Sequence, residues 1–313
     1  MKATICFSAT FLLIFAEVSP AATSQLANLV MPDATVIADV NVTSAKASPF
    51  GQYVNGLVAP KEQQQLQQFA AMTGFDPRTD LSEVMVATGA TGSKTGLLLA
   101  TGAFNITAIA NAATSAGAAS PVYHGVTIYS DPKHPEVAFA LLDSSTLLAG
   151  DLASVKGAID RESSGPHLPA SILNQIAQLA GSEDAWVLTT VPVSTLAPPS
   201  NAPAINGLNF QALQKVQQVS AGVKLADPVV VSAQAQLDTA QDAATLAGMV
   251  QLLANMAQMQ AQKNPEVAAL AKGVTVSASG TTVNLSFSVA EAQIQQLVQN
   301  HDQKANVQVA PKK

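Results

Sequence analysis

Residues 33–43 read DATVIADVNVT and residues 184–194 read DAWVLTTVPVS, and the two stretches match when aligned end to end. Identical residues occupy these aligned positions: Asp33/Asp184, Ala34/Ala185, Val36/Val187, Val40/Val191 and Val42/Val193. Val36, Val40 and Val42 recur at even spacing, which predicts a strand in each stretch. Each strand would therefore open one copy of a repeated unit.

Two further matches keep the same order along the chain. Residues 55–57 (NGL) align with residues 206–208, and residues 125–128 (GVTI) align with residues 273–276 (GVTV). We therefore predict two tandem copies of one unit. The alternative is that alternating strands in a chain rich in alanine and valine match by accident.

The periodicity of each copy predicts the same order of elements. In the first copy we expect a strand, a helix, a hairpin, a helix, a second hairpin and a last helix, at residues 36–42, 63–72, 83–90 with 95–101, 106–115, 122–129 with 137–142, and 151–162. In the second copy the corresponding segments are 186–193, 208–216, 219–225 with 229–237, a helix from Asp242, 274–279 with 283–289, and 290–300. The expected fold class is α+β, two tandem βαββαββα-type repeats with mostly antiparallel sheets and helices packed on one face.

The beginning of the chain has the pattern of a secretory leader. Lys2 precedes an apolar run at residues 3–16, which is shorter than the roughly 20 residues that span a bilayer. Ser19 and Ala21 fit a small-x-small cleavage site, so cleavage is expected after Ala21; an uncleaved anchor is the alternative. The expected division is a signal peptide at 1–21, repeat domains at 22–165 and 166–303, and a flexible tail at 304–313.

Composition narrows the function classes. The chain has 313 residues, 15 Lys and Arg against 21 Asp and Glu, and a net charge of -6, so no basic surface favours a nucleic acid partner. Cys6 is the only cysteine and lies within the predicted leader, so the mature protein would have no disulfide and no thiol chemistry. We expect a periplasmic or secreted protein without a transmembrane segment in its mature chain.

Catalytic and cofactor motifs are weak. Residues 89–95 (GATGSKT) lack the glycine before lysine and the following helix that a phosphate loop requires. Lys94-Thr95-Gly96 and the Ser130-x-x-Lys133 pair appear in the reverse of the order found in serine penicillin-recognising enzymes. The histidines show no metal-ligand spacing. We therefore predict no catalytic residue, no cofactor and no metal ligand.

Possible binding residues are Asp76, Arg78, Asp80 and Trp186. Asp76 precedes a proline and is typical of a turn former, and Asp80 could pair with Arg78 or accept backbone amides. The alternative is that this polar cluster binds a ligand. Trp186 is either a core residue of its strand or a platform for a ligand.

The strand that opens with Pro32-Asp33-Ala34 and the turn at residues 73–81 (TGFDPRTDL) resemble segments of uncharacterised exported bacterial proteins. This resemblance implies a bacterial, extracytoplasmic origin and brings no activity or site residue. We therefore expect a non-catalytic envelope or secreted protein that binds an unknown protein or small molecule, with the cleft between the repeats as the expected place. The alternatives are a hydrolase with dispersed catalytic residues and an envelope assembly factor.

Overall fold

The computed structural model describes residues 21–56, 60–90, 92–196, 210–259, 271 and 273–296. Residues 1–20 of the predicted signal peptide at 1–21, the match at 206–208 and the predicted tail at 304–313 lie outside this range. The α-helices are α1 Ala21–Leu29, α2 Val42–Ala47, α3 Pro49–Gly56, α4 Pro60–Thr73, α5 Pro77–Asp80, α6 Ile106–Ser115, α7 Leu152–Ser164, α8 Ala170–Ser182, α9 Val193–Leu196 and α10 Ala240–Met259, with a 3-10 helix at Phe210–Lys215. The strands are β1 Val36–Asn41, β2 Leu81–Thr88, β3 Gly96–Gly102, β4 Val122–Tyr123, β5 Val126–Asp131, β6 His134–Leu141, β7 Thr146–Asp151, β8 Ala185–Thr189, β9 Val216–Lys224, β10 Val229–Leu237, β11 Thr275–Ser279 and β12 Thr282–Val289.

All of these strands belong to one antiparallel sheet. Its order is β11-β12-β10-β9-β8-β1-β2-β3-β7-β6-β5-β4. The α+β class is therefore confirmed, but the two halves share a single sheet because β1 pairs with β8 as well as with β2. This pairing satisfies backbone groups that would otherwise form two exposed sheet edges.

Helices pack on both faces of the sheet, so the expectation of helices on one face is wrong. We call the side of the sheet that carries Ile37 and Asp39 face A, and the opposite side face B. On face A, α1, α7 and α8 pack over the part of the sheet that runs, in spatial order, β8-β1-β2-β3-β7-β6. There they bury Leu26, Ile37, Met85, Leu99, Leu148, Val155, Ile176 and Leu188. Face B is apolar too, since alternate residues of the same strands, such as Val84 and Leu98, contact Phe75, Phe104 and Ile109.

The second half of the sheet has its core on face B. There α10 packs over β10, β11 and β12, and it buries Ala243 and Leu246 against Val216, Leu237 and Val283. Face A of these strands consequently lies away from α10.

Strand β1 shows that the predicted phase of the alternation was wrong. Val36, Val40 and Val42 were expected to supply its apolar side, but the fully covered positions are Ile37 and Asp39. Val40 is 39% exposed on face B, and Val42 begins α2. Face A is the better covered side because three helices pack on it, and this places a carboxyl group in the core.

Several local predictions are confirmed. Asn105 and Asp151 cap α6 and α7 by accepting hydrogen bonds from the backbone amides of Ala108 and Ser154. Strand β7 and helix α8 were not predicted. The segment expected to be a helix at 208–216 lies partly outside the described residues, and the remainder is the 3-10 helix followed by β9.

The two halves of the sheet share one strand order. Outward from the centre, the first half runs β1, β2, β3, β7, β6, and the second runs β8, β9, β10, β12, β11. In each half a helix, α6 or α10, follows the third strand, and a later strand returns to pair with that third strand. Strands β5 and β4 extend only the first half. The matched segments 125–128 and 273–276 fall on β5 and β11, which occupy different places in this order.

Among the described residues, no helix combines the length and the apolar character needed to cross a bilayer.

Candidate functional site

The predicted polar cluster forms a closed turn. Asp76 caps α5 by accepting a hydrogen bond from the amide of Arg78 at 2.9 Å, and its Oδ2 lies 2.7 Å from Arg78 Nη2. Asp80 Oδ2 accepts the amide of Asp76 at 2.7 Å. The hydrogen bond from Arg78 holds the pKa of Asp76 below its usual value. The structure thus brings Asp76, Arg78 and Asp80 together, with their charged groups engaged in the turn itself.

Trp186 lies elsewhere, in β8 on face A. Its side chain is 4% exposed and packs in the main core. Its backbone neighbours across the sheet are Asp39 on β1 and Gly222 on β9. The indole Nε1 has no hydrogen-bond partner among the described residues.

A buried carboxyl pair stands beside Trp186, and the sequence analysis missed it. Asp39 and Glu83, on neighbouring strands, are 4% and 5% exposed. Burial, the charge of Glu83 and a hydrogen bond with Glu83 raise the pKa of Asp39 to about 8. Two adjacent carboxyls in the core cannot both ionise at modest cost, so the pair retains one proton at neutral pH.

Face A of the second half carries a surface of uncharged polar side chains, which we call the polar face. It consists of Gln218, Ser220, Ser232, Gln234, Gln236, Thr275, Ser277, Ser279, Thr282, Asn284, Ser286 and Ser288, placed by the registers of β9, β10, β12 and β11. At the end of β9, Lys224 pairs with the Asp184 carboxylate at 2.8 Å. Among the described elements, α10 and α9 pack on face B, and the end of α8 lies beside the polar face at Leu179.

The polar face contains a cavity of about 290 Å³ next to Leu179 of α8. The polar side chains that line it are those of Ser220, Ser232, Gln234, Asn284 and Ser286. Gln234 Nε2 donates to Asn284 Oδ1 at 2.9 Å. The hydroxyls of Ser220 and Ser286 make no side-chain hydrogen bond within the described part of the chain, so both are available to a ligand.

Glu183 holds Ser232, one of the residues that line this cavity. Its carboxylate accepts a hydrogen bond from Ser232 Oγ at 2.8 Å. The stem of Glu183 crosses directly over Gly222, where a Cβ would lie 2.3 Å from Glu183 Cγ. The absence of a side chain at Gly222 therefore lets Glu183 reach Ser232.

The cavity and the carboxyl pair lie on the same face but are separate. One row across the sheet runs from Asp39 through Trp186 and Gly222 to Ser232. Three strand spacings separate Asp39 from Ser232, roughly 14 Å. The buried indole of Trp186 stands between them, so Asp39 belongs to the core and not to the cavity lining.

The remaining titratable groups form no metal centre within the described ranges, where no cluster of three or more His, Cys, Asp or Glu residues is present. Ser164 Oγ lies 2.9 Å from His167 Nε2, on exposed side chains between α7 and α8.

Comparisons with known proteins do not identify a family. No family model matches the chain. No curated protein matches it either. A solved structure described as "Structure of crystal form I of TP0453" is similar, with a TM-score of 0.48 and 10% identity over 87% of this chain and 95% of that chain. A likeness of this size carries no argument about function.

Proposed function

We propose that this chain is an exported, non-catalytic binding protein that takes its ligand in the cavity on the polar face. The observation that carries the proposal is this cavity, open on face A, whose lining combines the uncharged polar side chains of the polar face with the apolar residues Leu179, Ala221, Ala233 and Leu285. Hydroxyl and carboxamide side chains can each donate and accept hydrogen bonds. Such a lining is suited to recognition.

We propose in addition that the protein is exported to the periplasm or secreted. The pattern of residues 1–21, with its short apolar run and the small residues around Ala21, supports a cleavable signal peptide and a periplasmic or secreted protein.

We also propose that the two halves arose by tandem duplication of one unit. The support is the strand order that they share outward from β1 and from β8. The proposed site then differs from the expected cleft between copies, since the cavity lies on the second half next to α8. The two halves differ in that helices cover face A of the first, while face A of the second carries the polar side chains.

A hydrolase is the second candidate, and Asp39 with Glu83 is the observation that favours it. A carboxyl group with a raised pKa beside a second carboxyl group is typical of general acid and base catalysis. A catalytic acid must reach its substrate, however, and both carboxyls are buried in the core. Turnover of a glycoside or ester panel that is lost on Asp39→Asn would support the hydrolase. A third candidate function, that of an envelope assembly factor, is supported only by the abundance of glutamine and alanine in the helices.

Native mass spectrometry of the exported mature protein tests the binding proposal. Ser286 lines the cavity, and Ser288 lies two residues further on the same strand and face but outside the cavity. We expect an extra bound mass on the unchanged protein and on Ser288→Phe, and its loss on Ser286→Phe, because the phenyl ring fills the cavity. The same substitution on the same strand controls for strand propensity. Bare protein throughout, or a mass retained by Ser286→Phe, would contradict the proposal.

A further inference from the structure

The charge of the cavity restricts the class of ligand. None of the side chains that line it in the described part of the chain is charged. The Glu183 carboxylate accepts a hydrogen bond from Ser232, one of the lining residues. The ammonium group of Lys224 is held by Asp184 at 2.8 Å, and Arg161 donates to the carbonyl oxygen of Leu29. Within the described part of the chain, a phosphate or carboxylate ligand would therefore find no cation in the cavity lining and would meet a negative group.

The geometry of the polar face suits a ligand with many hydroxyl groups. Cross-strand partners form one row of Ser220, Gln234, Asn284 and Ser277 and another of Ser232, Ser286 and Thr275. Neighbouring side chains within a row are about 4.8 Å apart, and the rows are about 6.7 Å apart along the strands. This is a regular grid of groups that both donate and accept, as sugar hydroxyls also do.

The cavity is also organised in advance. The bond from Gln234 to Asn284 fixes both carboxamides, and it leaves the second N–H of Gln234 and the amino group of Asn284 for a ligand. Leu179 adds an apolar wall against which the C–H side of a sugar ring can pack. Fixing these side chains before binding lowers the entropy that binding costs.

From these observations we infer that the ligand is a neutral oligosaccharide, held by the hydroxyl and carboxamide side chains of the polar face. This inference rests on the proposed function, since it names the ligand class of the same cavity. Ser220 and Ser286 donate to ring or hydroxyl oxygens, Gln234 and Asn284 bind hydroxyl pairs, and Glu183 disfavours acidic sugars.

Calorimetric titration of the full mature protein tests the ligand class. The probes are cellohexaose, maltohexaose, mannohexaose and chitohexaose, with hexagalacturonic acid as the anionic comparison. We expect at least one neutral hexasaccharide to bind and the acid not to bind. No binding of any neutral probe, or binding of the acid with equal affinity, would overturn the inference.

A matched pair of variants locates the binding. Gln234 on β10 and Gln251 on α10 are both exposed, and each donates its Nε2 to an asparagine Oδ1, Asn284 and Asn255 respectively. Gln234→Leu should weaken binding about 3- to 10-fold, the effect of one or two lost hydrogen bonds, whereas Gln251→Leu should leave it unchanged. Equal effects of the two substitutions would overturn the inference.

The two proposals fail in different ways. A mass lost from Ser286→Phe that proves to be a peptide or a lipid would leave the binding function standing and would overturn the saccharide class. Absence of any cavity-dependent mass would contradict the binding function itself.

Discussion

Replacement of Asp39 by asparagine should remove a pH dependence of stability that the buried carboxyl pair creates. The pKa of Asp39 is raised to about 8 in the folded protein from 3.8 as its ordinary value, with burial as the main cause. Between these values the folded state holds more protons than the unfolded state. Stability is therefore greatest at acid pH and falls as the pH rises through this window.

The size of the change in unfolding free energy follows from the one additional proton that the folded state binds. Each pH unit within the window costs about 1.4 kcal/mol of unfolding free energy, so the unchanged protein should lose about 2.7 kcal/mol between pH 5 and pH 7. Asp39→Asn has nearly the same shape and cannot ionise, and its amide can donate to Glu83. Its stability should therefore change much less over the same interval.

Urea unfolding at pH 5, 6 and 7, followed by far-UV circular dichroism, measures the slope. Trp186, the single tryptophan, packs beside Asp39 and provides a second probe by fluorescence. Asp131→Asn is the matched control, because Asp131 is exposed and is the last residue of β5. If the unfolding free energy of Asp39→Asn falls with pH as steeply as that of the unchanged protein, the additional proton is not held by Asp39 and Glu83, and this prediction is wrong.

Other substitutions test the structures that support the cavity and the helices. Gly222→Ala places a Cβ against Glu183 Cγ, so it should break the hydrogen bond between Glu183 and Ser232 and destabilise the protein by about 1–3 kcal/mol in thermal unfolding. The control is Gly248→Ala on α10, where a Cβ meets nothing within 4 Å; it should stabilise the protein or leave its stability unchanged. Asp151→Ala removes the cap of α7 and a bond to the Gly96 amide, and it should cost about 1–2 kcal/mol near neutral pH; a loss below 0.5 kcal/mol would show that the cap is dispensable. Although burial opposes it, hydrogen bonding lowers the pKa of Asp151, so this cost should shrink as the pH falls into the acid range, and an unchanged cost there would contradict the assignment.

The sequence allowed the fold class to be predicted, but not the side of the sheet that each helix covers. Alternation located β1, yet Val36 and Ile37 are both apolar, so the pattern did not determine which of them faces the core. Burial of Asp39 depends on α1, α7 and α8 meeting over one face, and that is a property of the tertiary packing. The pairing of β1 with β8 likewise joins residues too far apart in the chain for local patterns to relate them.

The sequences of β10 and β12 contain a pattern that indicates the polar face. Strand β10 places Ser232, Gln234 and Gln236 at alternate positions, and β12 does the same with Asn284, Ser286 and Ser288. This alternation predicts strands with one polar side, which is also typical of an ordinary solvated face. The alignment of these polar sides, and the end of α8 beside them, followed only from the register of the sheet.

Nuclear magnetic resonance can show directly whether a neutral oligosaccharide binds on the polar face. The side-chain amide signals are followed while the protein is titrated with the hexasaccharide that binds best. We expect the amide signals of Gln234 and Asn284 to shift with the ligand, while those of Gln251 and Asn255 on α10 stay in place. Shifts confined to α10 or to the first half of the sheet, or no shift with any neutral hexasaccharide, would contradict it.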